Sequence, residues 1–123
     1  MRIRMMSAVV AAAAGLMAFP AMAEDGRYGP QLGQMLAEAA GGTCLEALMS
    51  PALLDVCNGQ IAGMAPALSA MGEIEAMTFV SAEDAPEGRV ETWSVKYAGG
   101  RTVTWFIGHQ LPDGRFNVVG TAG

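Results

Sequence analysis

The sequence predicts an α+β fold in which N-terminal helices, arranged as a helical hairpin, pack on a curved four-stranded antiparallel β-meander. Between residues 30 and 72, apolar residues recur at steps of three and four, which is typical of amphipathic helices. Between residues 73 and 121 the period becomes two, and Val, Thr, Trp, Tyr and Phe are frequent, which favours strands. Strands and helices do not alternate along the chain, so we expect an antiparallel sheet.

The first 23 residues have the pattern of a cleaved export signal. Arg2 and Arg4 precede an apolar run over residues 8–19, and a small-x-small triplet ends at Ala23. The apolar run is shorter than the roughly 18 residues of a membrane-spanning helix. We therefore expect a mature single domain over residues 24–123, without a membrane span, in the periplasm or secreted.

The composition disfavours several classes of partner. The 123-residue chain has 12 Asp and Glu against seven Lys and Arg, and loss of Arg2 and Arg4 with the signal would shift the net charge from −5 to about −7. This acidity disfavours binding to nucleic acid or to an anionic lipid surface. Hydrophobic residues make up 52% of the chain, which indicates one packed core rather than a disordered segment.

The two cysteines predict a disulfide. Cys44 and Cys57 both follow the export signal, and exported proteins fold where thiols oxidise. On one straight helix their Cα atoms would lie roughly 20 Å apart, whereas a disulfide needs less than about 7 Å. The chain must therefore turn between them, and Ser50 followed by Pro51 is the expected corner. The spacing does not suit a redox or zinc motif, and His109 is the only histidine, so no metal is expected.

Three helical segments are predicted. The first covers residues 30–40, and a capping box formed by Thr43 and Glu46 predicts a short helical turn before the corner. The third covers residues 51–72, where an internal Asn-Gly pair and Pro66 predict a kinked helix or two consecutive helices. The residues expected to face the core are Leu32, Met35, Leu36, Ala39, Leu54, Cys57, Ile61, Met64, Leu68 and Met71.

Four strands complete the expected fold. The segments between them contain Pro-Glu-Gly, Gly-Gly and Pro-Asp-Gly, which are turn sequences that favour hairpins. The expected strands are residues 74–81, 89–98, 101–109 and 115–121.

The central hairpin has two possible registers. A two-residue loop pairs Ala98 with Arg101 and places Trp105 on the face opposite Trp93. A three-residue loop with a bulge pairs Tyr97 with Arg101 and collects more apolar side chains on one face, which helices can cover. We favour the second register, in which the shared face holds Trp93, Val95, Tyr97, Val103, Trp105 and Ile107.

Short motifs over residues 50–121 suggest a family. A Met-Gly-Glu-Ile segment leads into Met-Thr-Phe and is followed by Trp-x-Val-x-Tyr, Gly-Gly, Val-x-Trp-x-Ile and Pro-Asp-Gly. This pattern resembles the C-terminal half of small exported domains of the NTF2-like (cystatin-like) superfamily. The resemblance implies a curved sheet wrapped over helices, with a cone whose mouth can hold an apolar ligand. The superfamily includes isomerases, dehydratases, transport factors and domains without activity, so the fold does not settle function.

Three hypotheses about function follow. The favoured one is an exported non-catalytic domain that binds an apolar small molecule or a periplasmic protein. Against it stands the simpler interpretation that its aromatic residues only form the core. The second is an isomerase-like or dehydratase-like enzyme, which requires a carboxylate of raised pKa in a cavity larger than about 300 Å³. The third is an inhibitor or assembly subunit that exposes a strand edge, for which residues 115–121 are the candidate. The candidate ligand-binding residues are Phe79, Trp93, Tyr97 and Trp105.

No residue pattern identifies a catalytic site or a cofactor. His109 is expected to be a solvated or capping residue. Asp55, Glu75 and Glu91 lie near apolar faces, and each is expected to point to water. The serines lack an elbow motif, and the acidic residues within 83–87 are expected to form a solvated loop rather than a calcium site.

Overall fold

The computed structural model describes residues 26–122. The strands form one antiparallel sheet whose order follows the chain, and the helices precede it, so the predicted α+β class is confirmed. The predicted export signal lies outside the described residues. In chain order the elements are helix α1 (Gly29–Ala40), a 3₁₀ turn (Glu46–Leu48), helix α2 (Pro51–Met71), and strands β1 (Ile74–Ala85), β2 (Gly88–Tyr97), β3 (Thr102–Gln110) and β4 (Phe116–Thr121).

Helix α1 is amphipathic as predicted. It begins at Gly29, so Pro30 lies in its first turn. Proline suits this position, because the N–H that proline lacks would have no acceptor within the helix there. Past the C-terminus, Gly42 has a φ of 94°, a conformation that favours glycine. The predicted core-facing residues of this helix are all buried: Leu32, Met35, Leu36 and Ala39.

The segment after α1 differs from the prediction. The capping box does not form, because the 3₁₀ turn Glu46–Leu48 has no side-chain cap. The amide of Thr43 instead donates to the carbonyl oxygen of Glu38 at 2.9 Å and closes the end of α1. Thr43 therefore belongs to the end of one helix rather than to the start of the next.

The disulfide between Cys44 and Cys57 is confirmed, with the two Cα atoms 6.0 Å apart. The chain turns at the predicted corner, where the Ser50 hydroxyl accepts a hydrogen bond from the Leu53 N–H at 3.1 Å. Pro51 opens α2 directly after this cap. The cap and the disulfide together hold the start of α2 next to the 3₁₀ turn.

Helix α2 is continuous over 21 residues, so the expectation of two consecutive helices is wrong. Pro66 lies inside the helix and is exposed, so the carbonyl that loses its partner there is within reach of water. The helix ends before Gly72, whose φ is 90°. Its buried residues are Leu53, Cys57 and Leu68, with Leu54, Ile61, Met64 and Met71 partly buried against the core.

The central hairpin has the favoured register. The Tyr97 N–H donates to the Arg101 carbonyl at 2.8 Å, and Trp93 pairs with Trp105 across the strands. The alternating pattern of burial shows that the helices cover the face that carries these aromatic residues.

Strand β1 is longer than predicted. It continues to Ala85, which pairs with Gly88 around a tight turn, so Glu83 and Asp84 are strand residues rather than loop residues. Both acidic side chains remain exposed, as expected for the edge of a sheet. The pairing with β2 shifts between Phe79 and Ser81, as in a β-bulge.

Candidate functional site

A cavity with a volume of about 770 Å³ lies between the two helices and the covered face of the sheet. Small-molecule sites in proteins typically measure about 300–1,000 Å³. Val56 lies on its wall and is 53% exposed, so the cavity opens to solvent beside α2. The size and the opening both suit a small-molecule ligand.

Flexible apolar side chains form much of the wall. Four methionines contribute to it, one from α1, one from the corner before α2 and two from α2. Methionine adapts to irregular apolar shapes because it is unbranched and polarizable. The wall therefore suits an apolar molecule without a rigid requirement for one shape. These residues are Met35, Met49, Met64 and Met71.

Two glycines of α2 leave space in the cavity. Gly59 and Gly63 are one helical turn apart, and both line the wall. A Cβ added at either position would meet no other atom within 4 Å. Glycine inside a helix costs roughly 0.5–1 kcal/mol relative to alanine, so this space comes with a loss of helix stability.

Two buried polar groups on the sheet face lack hydrogen-bond partners among residues 26–122. Trp105 is 7% exposed and lines the cavity, and its indole Nε1 has no acceptor. Tyr97 is 2% exposed, and its hydroxyl likewise has no partner. Leaving one such group unpaired costs about 1–3 kcal/mol. A ligand oxygen that accepted a hydrogen bond would remove part of this cost.

The two groups are neighbours. Burial raises the pKa of the Tyr97 phenol, and a contact with the Trp105 side chain opposes this rise by a smaller amount. The contact does not have the geometry of a hydrogen bond, so it leaves both polar groups without a partner. Tyr97 also lines a second cavity of about 600 Å³, which lies beside Leu36 and Leu68.

No protein-family model matches the chain. No curated protein and no solved structure matches it either. Function is therefore inferred from the chemistry of the residues around the cavity.

Only two of the four predicted ligand-binding residues line a cavity. Trp105 and Tyr97 each line one of the cavities, whereas Phe79 and Trp93 line neither of them. Phe79 and Trp93 contact each other edge to face, with ring centroids 5.5 Å apart. A Cβ added to Gly29 would lie only 2.6 Å from the Trp93 ring, so the start of α1 packs directly on it.

The expectation that Glu91 points to water is wrong. Glu91 is 0% exposed, and its carboxylate accepts a hydrogen bond from the Tyr28 amide at 2.9 Å and from the Arg27 amide at 2.8 Å. The Arg89 Nε donates at 2.7 Å and the Trp93 indole N–H at 3.0 Å. The carboxylate therefore fastens the start of α1 to the middle of the sheet.

These contacts also determine the charge of Glu91. Burial acts to raise its pKa, but the hydrogen bonds from Tyr28, Arg89, Arg27 and Trp93 outweigh burial, so the pKa is lowered below 4.5. A general acid of the isomerase type needs a raised pKa. Glu91 is thus an ionised structural anchor.

The remaining catalytic candidates lie outside the cavities. Asp55 is exposed, and Glu75 is exposed and pairs with Lys96 at 3.2 Å. His109 is half-buried and has a φ of 54°, which is uncommon for a residue other than glycine. Within the described part of the chain, no three His, Cys, Asp or Glu residues could share a metal ion. In the same part of the chain, no helix is both long and apolar enough to cross a membrane.

Sequence reasoning missed Arg101, Gly59 and Gly63 as residues of the cavity wall. Strand alternation offered a signal for Arg101, because positions 101, 103 and 105 share a face in the favoured register. The i, i+4 spacing of the glycines places them on one helix face. Neither signal shows that the space beside these residues stays empty.

Proposed function

We propose that this chain is an exported, non-catalytic domain that binds an apolar small molecule in the 770 Å³ cavity. The observation that carries the proposal is the indole N–H of Trp105, which is buried on the cavity wall without a partner in the described region. Ligand sites commonly combine apolar walls with a few polar groups that orient the ligand. The cavity has this combination.

Binding is better supported than catalysis. An isomerase-like mechanism would need an acid in the cavity wall. Within residues 26–122, Arg101 is the only ionisable side chain that lines this cavity. Arginine does not give up its proton in proteins, so it is unsuited to general acid–base work.

The proposal includes the location and the family. The disulfide and the pattern of the first 23 residues support export to the periplasm or beyond. Helices that precede an antiparallel sheet, with a cavity between them, support a relation to the NTF2-like superfamily. The register shift in β1 and the left-handed conformation of His109 in β3 are features that bend strands, and they support a curved sheet.

The test measures binding of the neutral dye Nile red to the protein without its export signal. The unmodified protein is compared with a variant in which an added side chain fills the cavity. Gly63→Phe places a ring in the cavity at a position where an added Cβ meets no atom within 4 Å. Ala62→Phe is the matched control, because Ala62 is its exposed neighbour on the same helix and does not line the cavity. We expect saturable binding to the unmodified protein and to Ala62→Phe, and none to Gly63→Phe. Circular dichroism checks that all three proteins are folded.

Equal dye binding by Gly63→Phe and Ala62→Phe would contradict the proposal, because the dye would then bind elsewhere. A folded protein that binds no dye and does not bind 1-dodecanol would contradict it as well. Native mass spectrometry of the protein purified from its own host under non-reducing conditions gives an independent check. We expect a retained small molecule whose release leaves a mass consistent with the intact disulfide.

A further inference from the structure

Of the five Lys and Arg residues within 26–122, Arg27 and Arg101 form no ion pair there, and of these two only Arg101 lines a cavity. Three cations form ion pairs: Arg89 with Glu91, Lys96 with Glu75, and Arg115 with Asp113. The Arg101 guanidinium forms no ion pair and no hydrogen bond with residues 26–122. It is also the only cationic residue in that range that lines the larger cavity.

Arg101 lies on the same face of the central hairpin as the unpartnered donors. Its carbonyl accepts from the Tyr97 N–H, and Val103 and Trp105 follow it at alternate positions along the cavity wall. One side of the cavity therefore presents a guanidinium and an indole N–H, with the phenol hydroxyl adjacent. The opposite side presents the methionines of the helices.

The chemistry of this wall selects an acceptor with a negative charge. Guanidinium and indole groups only donate hydrogen bonds, and an ionised carboxylate only accepts them. The chain is acidic overall, with a net charge of −5, so a single arginine is a local exception to the surrounding potential. A monoanion matches one guanidinium, whereas a dianion such as a phosphate monoester would add a second charge that the acidic protein repels.

We propose that the ligand is a single-chain amphiphile that ends in a carboxylate, as in a medium-chain fatty acid. The carboxylate binds at the Arg101 end of the cavity, and the alkyl chain lies against the methionine wall. This inference rests on the proposed function and specifies the class of its ligand.

The experiment compares two ligands of equal chain length, dodecanoate and 1-dodecanol, by isothermal titration calorimetry below the concentration at which the fatty acid forms micelles. The protein without its export signal is compared with Arg101→Gln and with Arg101→Lys, which keeps the charge. Arg101 is exposed, so both variants are expected to fold. We expect dodecanoate to bind roughly fivefold more weakly to Arg101→Gln, with a smaller loss for Arg101→Lys. The affinity for 1-dodecanol should fall by much less than that for dodecanoate, because the alcohol carries no charge.

Salt gives a second readout. Added sodium chloride should weaken dodecanoate binding to the unmodified protein and leave Arg101→Gln almost unaffected, because screening acts on the charge pair. If both ligands bind the unmodified protein equally and Arg101→Gln changes neither affinity, the carboxylate inference is wrong while the proposed cavity function stands. If neither ligand binds and the Gly63→Phe variant behaves like the unmodified protein, both are wrong.

Discussion

Two sets of buried polar groups on the same sheet face differ in whether they have hydrogen-bond partners. The Glu91 carboxylate is fully buried and accepts hydrogen bonds from two backbone amides, an arginine and an indole. On the same face, the Trp105 indole and the Tyr97 hydroxyl are nearly as buried and have no partners in the described part of the chain. Trp93 and Trp105 even pair directly across two strands, yet only the Trp93 N–H has an acceptor.

This difference distinguishes polar groups that stabilise the fold from polar groups that can bind a ligand. A buried carboxylate with a full set of donors fixes one arrangement of the chain, here the position of the start of α1 on the sheet. Buried donors without acceptors gain from a ligand that supplies an oxygen. Glu91 and its donors are therefore expected to determine stability, and Trp105 and Tyr97 are expected to determine ligand binding.

The largest expected effect is at Glu91. Glu91→Ala leaves Arg89 and two amides without their acceptor, and we expect the free energy of unfolding to fall by about 3–5 kcal/mol. Urea denaturation measures this change. Glu75→Gln is the control, because the Glu75–Lys96 pair is exposed and is expected to contribute at most about 1 kcal/mol. Similar losses in the two variants would contradict an anchoring role for Glu91.

The disulfide joins Cys44 to Cys57 of α2, and Cys57 lines the cavity wall. Cys44→Ser and Cys57→Ser should each lower the free energy of unfolding by about 3 kcal/mol, because each removes the same crosslink from the unfolded chain. The double variant should be no worse than either single variant. Thermal unfolding in the absence of reductant checks this. Single variants that differ greatly would show that the thiols act independently.

Acidification should act through Glu91. Its pKa is lower in the folded protein than the reference value of 4.5, so the unfolded chain takes up the proton first as the pH falls. The stabilisation is fully present above about pH 4.5 and is lost as the pH falls through the folded-state pKa. Glu91→Gln should therefore approach the stability of the unmodified protein as the pH drops below 4.5. Chemical denaturation over a pH series measures the gap, and a constant gap would argue against this assignment.

Trp93 and Trp105 are paired across the strands, so their coupling energies with Glu91 can be compared directly. In a double-mutant cycle with Glu91→Gln, Trp93→Phe should show a coupling energy of about 1 kcal/mol, because the indole donates to the carboxylate. Trp105→Phe should show a coupling near zero in the same cycle. Equal couplings would mean that Trp105 depends on the Glu91 carboxylate as strongly as Trp93 does.

The last expected effect has the opposite sign and is that of Tyr97→Phe. Its hydroxyl is buried without a partner in residues 26–122, so removing it at neutral pH should raise the free energy of unfolding, by at most the roughly 1–3 kcal/mol that an unpaired buried group costs. Burial raises the phenol pKa above 10.0, so the unfolded chain loses the phenol proton first, and the free energy of unfolding falls as the pH rises from 10.0 through the folded-state pKa. The Phe variant should lack this part of the alkaline loss. A large destabilisation at pH 7 would reveal a partner for the hydroxyl.

Local patterns in the sequence predicted much of the fold. The four core positions of α1, the Ser50 cap, the disulfide and the hairpin register were all predicted from spacing of a few residues or from strand alternation. The same reasoning failed for Thr43, since the amide closes α1 instead of forming a capping box. For α2 it left open a kinked helix or two consecutive helices, and the structure excludes only the second, because one helix continues past Pro66.

The candidate site was only partly predictable. Trp105 and Tyr97 were named from the aromatic pattern, but the same pattern also named Phe79 and Trp93, which line neither of the two cavities. Aromatic residues favour strands wherever they lie, so the pattern does not distinguish packed rings from those beside open space.

The sequence by itself determined the order of the elements, the face that each presents to the core and the pairing of the cysteines, because these follow from periodicity and from the reach of short segments. Only the tertiary structure decided which buried polar groups are satisfied. The partners of Glu91 include backbone amides 63 and 64 residues away, which carry no side-chain signal. The empty space beside Trp105 depends on how α2 crosses the sheet and on Gly63 leaving it unfilled.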